Sequence, residues 1–99
     1  MRRGSARVRF AAAARTDLKR AAVWYEGRRP NLGRAFADAV RAAVELIAEG
    51  PERWPFKHGT RRLVLRRFPY TIAYRVDGSE VLILAVADHR LDPGAWEGR

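Results

Sequence analysis

Cysteine is absent from this sequence, and its absence excludes disulfides, thiolate nucleophiles and thiolate-held metals. Lysine is nearly absent: Lys19 and Lys57 are the only two among 20 cationic residues, and the rest are arginine. Carboxylates are few, 11 in all, which leaves a net charge of +9. The two histidines, His58 and His89, are too far apart for metal-ligand spacing, so neither a metal site nor a cofactor is expected. No apolar run approaches the roughly 20 residues that a bilayer span needs. Arg2 and Arg3 are followed by Gly4 and Ser5, not by an apolar stretch, which argues against a secretion signal. The expected location is therefore the cytoplasm, with no membrane contact.

What is abundant is arginine, whose planar fork pairs bidentately with phosphate and carboxylate. Such a surface suits nucleic acid or an acidic protein partner. The 99 residues fit one domain, 1–99, and the 47% hydrophobic content fits one modest core. A chain this short buries only roughly 60–65% of its unfolded surface, so its stability alone is expected to be marginal. A bound partner would add to it by mass action.

The patterning changes once along the chain. Residues 6–10 alternate apolar and basic, a short strand signal. Ala14, Leu18, Ala21, Ala22 and Tyr25 then recur at helical spacing, predicting a helix from Ala12 to Glu26 that stops at Gly27. Asn31 is the expected N-cap of a second helix, whose apolar stripe is Phe36, Val40, Ala43, Val44 and Ile47. Gly50-Pro51 ends it. Residues 52–60 read as an irregular link. Three strand-like runs follow, Arg61–Arg67, Thr71–Val76 and Glu80–Ala87, with Asp77-Gly78 as a hairpin signal between the last two. Helices first and hairpin-linked strands second argue for an α+β fold: an N-terminal strand, then an antiparallel helix hairpin packed on a C-terminal antiparallel sheet. In the middle run, Ile72, Tyr74 and Val76 share the face expected to lie on the helices, and Thr71, Ala73 and Arg75 the other. The last run is apolar almost throughout, as in a strand covered on both faces.

The stretch Arg62-Leu63-Val64-Leu65-Arg66-Arg67-Phe68-Pro69-Tyr70-Thr71-Ile72-Ala73-Tyr74-Arg75, the run Val81–Ala87 and the tail Pro93-Gly94-Ala95-Trp96 together resemble RelE/ParE-family toxins, nearer the ParE and plasmid-stabilisation branch. Asp17-Leu18, Trp24-Tyr25, Leu32-Gly33, Phe36, Pro51 and Trp54 extend the resemblance over nearly the whole chain. It implies the toxin half of a bacterial type II toxin–antitoxin system, neutralised by an acidic antitoxin whose C-terminal segment wraps it. One branch of the family implies DNA gyrase as the target, the other the ribosome and its messenger RNA.

The RNA-cleaving branch uses basic side chains on the scissile phosphate with a general acid or base near the end of the last strand. His89 is the catalytic candidate here. The resemblance puts Arg90 where such members carry Tyr, and Thr71 where they carry Arg. The ParE-like pattern has His where Asp88 stands and Arg where Leu91 stands, so this chain departs from both. The incomplete set favours a non-hydrolytic inhibitor of gyrase over a ribosome-dependent endoribonuclease; a non-toxic binding module on the same scaffold is a third reading. Arg61, Arg62, Arg66, Arg67, Arg75 and Trp96 are the candidate contacts to target or antitoxin. The bland reading of Arg61–Arg67 is a solvated edge strand protected from aggregation by charge. For Trp24, Trp54 and Trp96 it is ordinary packing.

Overall fold

The computed structural model describes residues 5–90. In order they form β1 (Arg7–Phe10), α1 (Ala12–Arg28), α2 (Leu32–Glu49), β2 (Phe56–Lys57), β3 (Thr60–Val64), β4 (Tyr70–Asp77) and β5 (Glu80–Asp88). The sheet order is β1-β5-β4-β3-β2. All neighbours are antiparallel except β1, which runs parallel to β5. The α+β architecture expected from the patterning is the one observed. The tail with Trp96 and the position Leu91 lie outside the described residues.

α1 buries a thin face, Ala14, Ala21 and Tyr25, and α2 a thick one, Phe36, Val40, Ala43 and Ile47. Small residues on α1 let the helices approach closely. A Cβ on Gly33 would lie 2.4 Å from the Ala22 carbonyl oxygen, so only glycine fits that crossing. The helices cover one sheet face, where Leu63, Ile72, Tyr74, Val81, Ile83 and Val86 complete the core. Tyr74 donates its hydroxyl proton to the Pro51 carbonyl at 2.5 Å, tying the end of α2 to the sheet.

Several local expectations are corrected. α1 runs through Gly27 to Arg28. Asn31 stands at the α2 N-cap position, but in the left-handed region (φ 73°), and its side chain makes no capping bond. Glu26 caps instead: its carboxylate accepts the Asn31 N–H at 2.9 Å and the Gly33 N–H at 3.0 Å. The link 52–60 contains a small hairpin, β2 to β3, turning on His58 and Gly59. Both have positive φ (53° and 83°), the requirement of a type I′ turn. β3 ends at Val64, so Arg66 and Arg67 sit in a loop. The β4–β5 hairpin turns on Gly78-Ser79, one residue later than the Asp77-Gly78 signal. The strand β5 carries a bulge: Ala73 pairs with Ala85 but Tyr74 with Ile83, leaving Leu84 extra. That is how Ile83 and Val86, three apart, both join the helix-side core while Ala85 turns away to meet Ala73.

Candidate functional site

The sheet face away from the helices and the end of the molecule where β5 stops hold most of the candidate residues. At that end Tyr70 pairs with Asp88 across β4 and β5. Beneath them lies an aromatic box. Tyr25 is stacked on Phe36 at 5.2 Å and meets Phe68 edge-on at 4.9 Å, while Tyr70 meets Phe36 at 4.9 Å. Burial, foremost, holds the Tyr25 and Tyr70 phenols protonated above their ordinary range, with the Asp88 charge adding to the effect in both.

Asp88 is occupied. Its Oδ1 accepts the Arg90 backbone N–H at 2.9 Å and Nε at 3.0 Å, and its Oδ2 accepts Nη2 at 2.7 Å. The Arg90 side-chain hydrogen bonds are the largest cause of its lowered pKa. His89 is exposed. Its backbone N–H donates to the Pro69 carbonyl at 2.9 Å, and among the described residues no group hydrogen-bonds its imidazole. Thr71 is 6% exposed, so its hydroxyl is not presented to solvent. Among the described residues, no three of His, Asp and Glu gather in a way that could hold a metal ion.

The arginines separate into distinct roles. Arg61 lies on the helix side of β3 and donates to the carbonyls of Glu52 at 3.2 Å and Trp54 at 2.7 Å, over the Phe56 ring. Its guanidinium fastens its own chain. Arg62 pairs with Ala73 on the opposite face, where its Nε and Nη2 are shielded from solvent. Arg75, exposed, flanks Leu82 on that face, with Arg9 on the other side in register. Arg66 and Arg67 are exposed in the β3–β4 loop, Arg67 over Phe68 at 5.1 Å. A strand, its buried reverse face and a loop therefore share what the sequence presents as one basic run.

A family model described as the ParE toxin of type II toxin–antitoxin systems matches residues 8–93. The chain belongs to the ParE toxin family. Among solved structures it is similar to the chromosomal ParDE toxin–antitoxin system of Pseudomonas aeruginosa, with a TM-score of 0.75 and 20% identity over 85% of this chain and 96% of that one. It is also similar to the toxin–antitoxin complex RelBE2 of Mycobacterium tuberculosis, with a TM-score of 0.59 and 29% identity over 88% and 94%. No curated protein matches it. The P. aeruginosa likeness is one of fold.

α1 presents an exposed apolar surface that its buried stripe does not announce. Trp24 is 50% exposed and Val23 73%, while Tyr25 beside them is buried. The helical stripe marks Tyr25 as inward, and the same 3.6-residue period places Val23 and Trp24 off it. Phe56 and Val64 are exposed as well, at the far edge of the sheet.

Proposed function

We propose that this ParE-family chain acts on DNA gyrase by binding, without hydrolysis, and is neutralised by an acidic antitoxin. The observation that carries the non-hydrolytic reading is the end of β5. General acid–base work needs a positioned, available proton-transfer group. There Asp88 is held by Arg90, Thr71 is buried, and the His89 imidazole has no orienting partner among the described residues. Gyrase as target rests on family membership.

The antitoxin reading is supported by the likeness to two toxin–antitoxin systems and by the charge of +9. The surface suited to it is the exposed margin of the sheet face opposite the helices, around Arg9, Leu82 and Arg75 and at Val64, since the centre of that face at Ala73 and Ala85 is already buried. Apolar side chains of the partner would pack there and its carboxylates would meet Arg75 and the loop arginines Arg66 and Arg67.

The test uses purified toxin with gyrase. Loss of supercoiling activity, unchanged by His89→Ala, is expected. The alternative, a RelE-like endoribonuclease, is favoured by the 29% identity to the RelBE2 complex. Codon-linked messenger RNA cleavage on purified ribosomes, abolished by His89→Ala, would establish it in place of the gyrase reading.

A further inference from the structure

One end of the molecule gathers arginines from three segments. Arg28 and Arg29 close α1, Arg34 opens α2, and Arg66 and Arg67 lie in the β3–β4 loop, all exposed. The aromatic box brings them together. Trp24 meets Tyr25 edge-on at 5.0 Å, and the Arg28 guanidinium stands over the Trp24 ring at 4.1 Å. On the other side of Tyr25, Phe68 carries Arg67 over its ring. Two guanidiniums thus stand over aromatic rings, at 4.1 and 5.1 Å, a placement that holds them near the surface and leaves N–H groups for an outside acceptor.

The nearest carboxylates do not neutralise them. Both Glu26 oxygens face backbone N–H groups, and both Asp88 oxygens face Arg90. Among the described residues none of the five arginines is ion-paired. Five unneutralised forks spread over three segments, with a half-exposed indole among them, complement a chain of phosphates. Arginine contacts to phosphate fix position on nucleic acid without reading sequence.

We propose that this end is a contact surface for the backbone of duplex DNA, so that the toxin itself touches DNA. The arginine surface would suit any polyphosphate chain; DNA in place of RNA rests on the gyrase reading, because gyrase holds DNA.

The experiment is fluorescence anisotropy of a labelled 30-base-pair DNA duplex with the toxin alone, between 50 and 200 mM salt. Each phosphate contact contributes about −0.9 to the slope of log affinity against log salt. Five contacts predict an affinity loss of roughly 500-fold over that range, and the double variant Arg28→Gln/Arg67→Gln only about 40-fold. A second double variant, Arg7→Gln/Arg53→Gln, removes the same charge elsewhere. Arg7 lies at the opposite end of the sheet, where it pairs with Glu80, and Arg53 follows α2. It should keep the wild-type slope. Circular dichroism checks that both variants fold. No DNA binding at 50 mM salt, or an equal fall in slope for both variants, would overturn the proposal. So would tighter binding to the matching RNA duplex or to polyglutamate, which would make the occupant RNA or an acidic protein. Gyrase is absent from the assay, so its outcome is separate from that of the supercoiling test.

Discussion

Glu26 holds the turn between the helices in a way its own position does not advertise. It sits in the last turn of α1, where the helix dipole disfavours a carboxylate, yet it accepts two N–H groups at the start of α2, where the dipole favours one. Glu26→Ala should lower stability by about 0.5–2 kcal/mol, the range for a lost helix cap. In a domain of this size each kcal/mol moves Tm by roughly 4–8 °C. Asn31→Gly should be neutral or stabilising, because Asn31 already occupies the left-handed region without capping. Thermal melts of the two variants check the pair; a larger loss for Asn31→Gly would contradict the assignment. Gly33→Ala should cost about 1–3 kcal/mol, the range for overpacking, since its Cβ would drive the helices apart.

Asp88 also makes a residue-scale prediction. Its folded pKa is depressed, so its contribution is present above the ordinary value of 3.8 and is lost as pH falls through the lower folded value. Arg90 is largely exposed, so solvent screening keeps the effect small. In urea titrations, the stability difference between wild type and Asp88→Asn should be present at neutral pH and vanish in acid. A difference that grows in acid would contradict the pairing.

At the scale of elements, β5 shows what patterning conveys and what it hides. The run Val81–Ala87 is apolar almost throughout, which reveals an interior strand but not its register. The bulge at Leu84 resets the alternation, and nothing in a uniformly apolar run marks it. The device beside the bulge is Asp17 on α1, whose carboxylate accepts the Val86 N–H at 3.0 Å, 69 residues away in sequence. Asp17→Ala should cost about 1–3 kcal/mol by leaving that amide without its acceptor. Loss of protection of the Val86 amide in hydrogen exchange, ahead of the rest of β5, checks it. Elements with clear stripes and breakers were legible: α2 between Asn31 and Gly50, and β4 between Pro69 and Gly78. The β2–β3 hairpin was not, since its two-residue strand is too short to show alternation and its turn places a positive φ on His58, which carries no turn signature of its own. The candidate site divides similarly. Arg61 stands two residues from Leu63 and shares its side of β3, but only the fold shows its guanidinium taken up by the Glu52 and Trp54 carbonyls. Trp24 and Arg28 come near Arg67 only through the fold, where Tyr25 meets both Trp24 and Phe68.

At the scale of the whole molecule, charge and core pull in different directions. Nine net positive charges on 99 residues favour compaction poorly, and a partner of opposite sign relieves both the repulsion and the exposed apolar surface. Association with the proposed acidic antitoxin should slow strongly between about 0.05 and 0.5 M salt, as the Debye length falls from roughly 14 to 4 Å. Dissociation should change little, because buried apolar area sets most of the lifetime and charge mainly sets encounter. Stopped-flow kinetics across that range measure both rates, and a salt effect confined to dissociation would contradict this division.

The most direct measurement is induction of the chain in bacterial cells, with and without the product of any small acidic reading frame found beside its gene, while growth, DNA-damage signalling and messenger RNA levels are followed together. The predicted result is growth arrest with damage signalling and no immediate loss of messenger RNA, relieved when such a product is co-expressed and co-purifies with the chain. Unimpaired growth on induction alone, or arrest that begins with rapid messenger RNA cleavage, would contradict it.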